Sequence, residues 1–180
     1  MTTVRGKPED LDATRAPRGR TVRAMMVPVS LYARVRSDQT VRDVAEVLLN
    51  VQMHPMGDDD TDRGRRTLLV FDRADRFLGL IRAQDIVRAV VTASRAAAAP
   101  HASTAGTFLA HARTAAGITV GDVVQPAPAI EVSASAMQAA ELMVANHLSH
   151  LAVTREGKLV GLLRPEDLYQ EVAALAVPDR

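Results

Sequence analysis

Hydrophobic and polar positions follow the same order twice along the chain. Apolar runs joined by a polar segment occur at 68–71 with 77–81, and again at 150–153 with 159–163. Two short apolar runs joined in this way are typical of a β-hairpin. A helix is predicted after each hairpin, beginning near Ala83 and near Pro165, where a proline suits the first helical turn.

A helix is also predicted before each hairpin. Thr40 is followed three positions later by Asp43, and Ser135 by Gln138, which are capping-box signatures of a helix start. Apolar residues then recur at the spacing of one helical face. These faces are Val41, Val44, Ala45, Leu48 and Val51 in the first half, and Ala136, Ala139, Ala140, Met143 and His147 in the second. With a strand ahead of each cap, each half is predicted to be strand, helix, strand, strand, helix.

The second hairpin strand carries the clearest internal repeat. FLGLIRAQD at 77–85 returns as LVGLLRPED at 159–167. The shared glycine, arginine and aspartate pair Gly79 with Gly161, Arg82 with Arg164 and Asp85 with Asp167. Working back from these anchors aligns 68–71 with 150–153. A repeat of this length indicates two copies of one supersecondary unit.

The repeat divides the chain into four parts. We expect a disordered tail at 1–20, the first repeat at 21–95, a linker at 96–117 and the second repeat at 118–176. The polar segment 54–66 is predicted to be a surface loop. Within 92–117, Pro100 and Gly106 are expected to break the chain before a short helix around Phe108 to Ala115.

Each repeat also has a similar opening, VRAMMVP at 22–28 and VGDVVQP at 120–126. Each half therefore has, in the same order, an opening segment, a capped helix, a hairpin and a closing Gly-x-x-x-x-x-Asp. This order, found twice, resembles a tandem pair of cystathionine-β-synthase (CBS) domains, the arrangement called a Bateman module. The resemblance covers about residues 21–175. It implies an α/β fold of two β-α-β-β-α CBS repeats packed about a pseudo-twofold axis, with helices covering the sheets and two clefts between the repeats.

The resemblance also implies a regulatory role and an adenosine-containing ligand, such as AMP, ATP or S-adenosylmethionine. In that family the closing Asp holds ribose hydroxyls, which would be the role of Asp85 and Asp167. A Thr or Ser usually holds phosphate where Arg82 and Arg164 stand here. A guanidinium is larger, always charged and able to grip two phosphate oxygens, so the site favours more phosphate or binds no nucleotide. The other candidate ligand-binding residues implied by the resemblance are His150, Pro28 and Pro126.

The residues themselves allow two interpretations of these junctions. A strand followed directly by a helix places unpaired N–H groups and a positive dipole end where phosphate can bind. Alternatively, Arg and Asp three positions apart pair with each other, and the Asp serves the first helical turn.

Composition and charge exclude several classes of function. The net charge of +1 gives no general attraction for nucleic acid, and the lack of cysteine excludes thiolate chemistry. No apolar run is long enough to cross a membrane, so we expect a cytoplasmic protein. The heavy use of Ala and Arg indicates a genome rich in G and C, and we expect a bacterial source. His147 with His150, and the acidic run 58–62, lack the remaining ligands of a metal site. We expect no catalytic residues, no metal, no required cofactor and no enzyme activity.

The sequence thus predicts a stand-alone sensor that changes shape or association when an adenine nucleotide or related ligand binds. We expect a homodimer and a separate effector protein as partners. The rival is a purely structural dimerisation or scaffold module whose clefts bind nothing. Nucleic-acid binding through Arg15, Arg18, Arg20 and Arg23 ranks third.

Overall fold

A computed structural model describes residues 21–53, 67–96 and 105–176. The first half contains α1 (Val22–Met25), β1 (Val27–Pro28), a 3-10 turn (Val29–Leu31), β2 (Arg34–Arg36), α2 (Val41–Met53), β3 (Thr67–Phe71), β4 (Phe77–Arg82) and α3 (Ala83–Ala96). The second contains α4 (Ala105–Ala115), α5 (Val120–Val123), β5 (Ala129–Glu131), α6 (Ala136–Ala145), β6 (Leu151–Arg155), β7 (Lys158–Leu163) and α7 (Pro165–Ala176). The predicted strand, helix, strand, strand, helix unit is therefore present twice.

Both predicted capping boxes form. The Thr40 N–H donates to Asp43 Oδ2 at 2.8 Å, and the Asp43 N–H donates to Thr40 Oγ1 at 3.3 Å. Ser135 and Gln138 make the same reciprocal pair at 3.0 and 3.2 Å. Each box satisfies N–H groups that the first helical turn leaves unpaired, which fixes where α2 and α6 begin.

Two sheets result, with strand orders β2-β3-β4 and β1-β7-β6-β5. Strand β2 is parallel to β3, and β5 is parallel to β6. The hairpin strands, β3 with β4 and β6 with β7, are antiparallel. Their register corrects our alignment. Leu68 lies opposite Ile81 and Leu151 opposite Leu163, so Leu68 corresponds to Leu151 rather than to His150. The first hairpin turn is one residue longer, and Thr67 is therefore the counterpart of His150.

The two repeats exchange their opening segments. Strand β1 pairs with β7 of the second repeat, while Gln125, just after α5, exchanges backbone hydrogen bonds of 2.8 and 2.9 Å with Leu80 of the first. Val22 is fully buried in the core of the second repeat, and Val120 in the core of the first. Neither repeat completes its own core, so the two must fold as one unit.

The repeated glycine of the closing motif permits this exchange. A Cβ on Gly79 would lie 2.2 Å from the Gln125 carbonyl oxygen, and one on Gly161 would lie 2.7 Å from that of Val27. Gly79 also has a φ of 151°, in the region that favours glycine. Both glycines are thus required where the other repeat's opening segment crosses.

The two sheets pack against each other across a third core. Its buried residues are Tyr32, Leu69, Phe71, Leu80, Ala152 and Leu162. Because Leu69 and Ala152, and Leu80 and Leu162, are counterparts, the interface has the pseudo-twofold symmetry that the resemblance implied.

Three details differ from the sequence analysis. Helix α4 begins at Ala105, three residues before Phe108, so Gly106 lies inside the helix rather than before it. Helix α6 ends at Ala145, and His147 is an exposed residue with a left-handed φ of 51°, not a member of the apolar face. A left-handed residue after the last turn terminates a helix. The tail 1–20, the loop 54–66 and Pro100 lie outside the described residues.

Candidate functional site

Each repeat has a junction where the second hairpin strand meets the following helix. Asp85 and Asp167 occupy the third position of α3 and α7. Their carboxylates accept the backbone N–H of Arg82 at 2.9 Å and of Arg164 at 2.8 Å. Both aspartates therefore cap their helices, as the second interpretation of the sequence proposed.

The second junction is a closed ion pair. Arg164 donates through Nε to Asp167 Oδ2 at 3.1 Å and through Nη2 to Oδ1 at 2.6 Å. The two side chains are only 5% and 7% exposed. The hydrogen bond to Asp167 raises the pKa of Arg164, so this guanidinium stays charged although it is buried.

The first junction is more open and reaches across to the other repeat. Asp85 is fully buried and accepts from Arg82 Nε at 3.3 Å and from Arg88 Nη1 at 2.8 Å. Arg82 Nη1 also donates to Ser149 Oγ at 2.5 Å. Each of its charged groups has a partner, and the contact with Ser149 ties the junction to the second repeat.

A histidine lies between the two junctions. His150 Nε2 is 3.2 Å from Thr67 Oγ1, and Nδ1 is 3.2 Å from Ser149 Oγ. Burial, aided by the charges of Arg82 and Arg164, lowers the pKa of His150 from 6.5 to about 4. The ring is therefore neutral at physiological pH, and its two nitrogens match two hydroxyl partners.

Two buried polar atoms near the second junction lack a hydrogen-bond partner within the described part of the chain. They are Arg164 Nη1 and the hydroxyl oxygen of Tyr32. Burial raises the pKa of Tyr32 to about 12, with smaller opposing effects from the nearby charges of Arg164 and Asp167. Tyr32 belongs to the first repeat and Arg164 to the second, so the junction contains unsatisfied donors from both.

The candidate residues are thus brought together only in part. Arg82, Arg164 and His150 lie at the interface between the repeats. Asp85 and Asp167, by contrast, cap their helices and pair with arginines. A cavity of about 270 Å³ adjoins Asp85 and is bordered by Arg88, Asp122 and Gln125.

The two prolines lie elsewhere. Pro28 lies on the edge strand β1, opposite Gly161 of β7, and Pro126 lines a different cleft between the hairpin turns. Sequence reasoning missed Tyr32, Thr67 and Ser149. The only available signal was their position: Thr67 and Ser149 each stand beside the start of a hairpin strand.

Comparison with known proteins now identifies the fold. Residues 120–174 match the family model described as CBS domain. The second repeat is a CBS domain, and the chain has the fold of a tandem CBS pair. The structure of the CBS-pair protein CBSX2 from Arabidopsis thaliana matches with a TM-score of 0.62 at 21% identity, over 89% of this chain and 99% of that one. CBSX2 in complex with AMP matches with a TM-score of 0.60 at 20% identity, over 88% of this chain and 100% of the other.

A bacterial structure of the same fold is also similar. It is the CBS domain of a CBS domain-containing membrane protein from Sphaerobacter thermophilus, with a TM-score of 0.59 at 21% identity, over 85% of this chain and 88% of that one. No curated protein gives a significant sequence match. Among the described residues of this chain, no helix is both long and apolar enough to cross a membrane.

Proposed function

We propose that this CBS pair is a regulatory module that binds an adenosine-containing ligand, of the AMP, ATP or S-adenosylmethionine type, between its repeats. The observation that carries the proposal is the pair of buried groups without partners, Arg164 Nη1 and the Tyr32 hydroxyl. A phosphate or carboxylate oxygen accepts hydrogen bonds from both kinds of group. The AMP complex of CBSX2, which has the same fold, supports an adenine nucleotide as the ligand class.

The second junction is the better binding site of the two. Arg164 already uses Nε and Nη2 on Asp167 and retains Nη1, while the N-terminus of α7 adds its positive dipole end. At the first junction both oxygens of Asp85 are paired and Arg82 is bound to Ser149. We therefore assign the ligand to the Arg164 junction, with Arg82 and Asp85 in a structural role.

Binding there would be coupled to the interface between the repeats. Arg164 is almost fully buried, so a ligand reaches it only if Tyr32 or the guanidinium moves. Tyr32 is part of the core that joins the two sheets. A ligand that favours the moved arrangement shifts the module between two states, which is what a sensor requires.

A second function, dimerisation or scaffolding with clefts that do not bind, is favoured by a different observation. Several large apolar side chains on the helices are more than half exposed, among them Val87, Phe108, Leu109, Val144, Tyr169 and Val172. Where such side chains form a contiguous patch, they would mark a site of association. Association is also the route by which a ligand-induced change could reach a partner.

Isothermal titration calorimetry with AMP, ATP and S-adenosylmethionine tests the two functions. We expect one site per chain for at least one of the three ligands. Tyr32→Phe should weaken that ligand about ten-fold, because a hydrogen bond to a charged group is lost. Ser149→Ala, which removes a contact of Arg82 and of His150 but none of Arg164, should leave its affinity within about two-fold.

The opposite pattern would reassign the site. Weakening by Ser149→Ala alone would move the ligand to the first junction. The absence of heat for all three ligands, with a folded and stably dimeric protein, would contradict ligand binding and support the scaffold function. Circular dichroism melting of each variant verifies that the protein titrated is folded.

A further inference from the structure

A larger cleft lies at the other end of the strands, between the two hairpin turns. It has a volume of about 910 Å³ and is lined by residues of both turns and by the segment that follows each opening proline. Strand β4 spans six residues, about 17 Å, so this cleft is well separated from Arg82 and Arg164. Its volume is in the range of small-molecule sites.

The cleft lining follows the pseudo-twofold axis. Phe77 and Leu159 are counterparts in the two repeats and contribute apolar surface. Arg76 and Lys158 are likewise counterparts and bring a cation from each side. A feature built symmetrically by both turns depends on the packing of the repeats, and it is not a local irregularity of one loop.

The symmetry fails at one side, where the first repeat provides an aromatic and charged wall. Arg34 and Phe71 stand where the second repeat has Ala129 and Thr154. The guanidinium of Arg34 lies over the Phe71 ring at 3.9 Å, and the Phe71 and Phe77 rings meet edge to face at 5.7 Å. Because Phe71 is only 7% exposed, the surface that this wall presents to the cleft is the guanidinium plane of Arg34 and the partly exposed ring of Phe77, and both can stack on an aromatic ligand.

The electrostatic balance of the cleft is positive. Among its lining residues, Arg34, Arg76 and Lys158 face a single acid, Asp75. Arg34 pairs with Asp75 at 2.6 Å, and Arg76 pairs with Asp72, outside the lining, at 2.7 Å. Lys158 is exposed and has no ion-pair partner among the described residues, so its charge is available to a ligand.

We propose that this cleft binds a small aromatic anion, with its ring against Arg34, Phe77 and Leu159 and its acid group on Lys158. The aromatic wall selects a planar ring, and the excess of cations selects the negative charge. The proposal concerns a second site and does not depend on ligand binding at the Arg164 junction.

Naphthalene-1-sulfonate is a suitable probe, and 1-naphthol is its neutral control. In ¹⁵N-edited NMR spectra of the full chain, the sulfonate should shift the amides of 71–78 and 154–159 saturably, and 1-naphthol should bind several-fold more weakly. Lys158→Gln should weaken the sulfonate about three- to five-fold, the effect of one partly exposed ion pair. Arg155→Gln removes the same charge from the same hairpin, outside the cleft, and should change the affinity by less than about two-fold.

Each other outcome overturns the proposal. Shifts confined to the exposed apolar residues of α3, α4 or α7 would show that the probe binds a helical surface instead. Equal binding of sulfonate and naphthol, or equal losses in the two charge variants, would show that Lys158 does not recognise the anion. The amide spectrum of each free variant establishes that its fold is intact.

Discussion

Thr67 Oγ1 and His150 Nε2 lie 3.2 Å apart, although they occupy the same position in the two repeats. Counterparts can touch only close to the pseudo-twofold axis, so this contact marks where the axis passes between the sheets. His150 also meets Ser149, which holds Arg82. One imidazole thus connects the first junction with the start of both hairpins.

The position of His150 predicts a pH-dependent stability. Its pKa is about 4 in the folded chain, lowered mainly by burial, and near 6.5 when unfolded. Between these values the unfolded state binds the extra proton, so stability present at pH 7.5 is lost as the pH falls. We expect a loss of about 2 kcal/mol from this residue at pH 5, measured as the urea unfolding free energy.

Two histidine variants isolate the effect. His150→Gln retains a polar group for Thr67 and should flatten the dependence between pH 7.5 and 5, whereas the exposed His147→Gln should leave it unchanged. Asp38, Asp43 and Asp72 do not interfere, because hydrogen bonds lower their pKa values in the folded chain and their ordinary values, about 3.8, already lie below this window. An equal slope in the wild type and His150→Gln would refute the assignment.

The crossing of the opening segments predicts severe effects at two glycines. Gly79→Ala and Gly161→Ala each place a methyl group within 3 Å of a backbone carbonyl of the other repeat. Because the obstacle is backbone, relief requires the exchanged segment to move, and we expect a loss of about 2–4 kcal/mol in unfolding free energy.

Gly157→Ala is the matched control. Gly157 has a left-handed φ of 75°, but a Cβ there would meet nothing within 4 Å. Only the conformational penalty should remain, about 1 kcal/mol. If Gly157→Ala proves as costly as Gly161→Ala, steric crossing is not the reason for the repeated glycine.

Much of this architecture could be predicted from local pattern, because hairpins and capped helices depend on residues close in sequence. Thr40 with Asp43, and Ser135 with Gln138, behave as their spacing indicated. The exchanged openings could not be predicted in this way. Nothing local distinguishes Val22, buried in the other repeat's core, from an apolar residue in its own.

The candidate site likewise combines features that local sequence predicts with features that it does not. The spacing of Arg and Asp allowed either a ligand site or a local pair, and the choice depends on where the guanidinium points. For Arg82 that direction depends on Ser149, a partner distant in sequence, whereas Arg164 turns to Asp167 three positions away. The hairpin alignment failed for a related reason, since one additional turn residue leaves the apolar pattern almost unchanged.

The two aspartate caps should differ in their contribution to stability. Asp167→Asn leaves the charge of Arg164 buried without its counterion. Asp85→Asn removes the counterion of Arg82 and Arg88, whose side chains are 21% and 54% exposed. A buried charge without its counterion is far more costly than a hydrated one. We expect losses of about 3 kcal/mol for Asp167→Asn and about 1 kcal/mol for Asp85→Asn in chemical denaturation. A larger loss for Asp85→Asn would contradict the burial argument.

Tyr32 and Tyr169, the two tyrosines of the chain, allow a test in which stability and binding change in opposite directions. The Tyr32 hydroxyl is buried without a partner among the described residues, which costs about 1–3 kcal/mol. Tyr32→Phe should therefore raise the unfolding free energy of the ligand-free protein by about 1 kcal/mol, while it weakens the ligand that calorimetry identifies. Tyr169 is 69% exposed, and Tyr169→Phe should change neither quantity. If Tyr32→Phe destabilises the free protein, its hydroxyl already has a partner within the fold, and the Arg164 junction loses its main support as a ligand site.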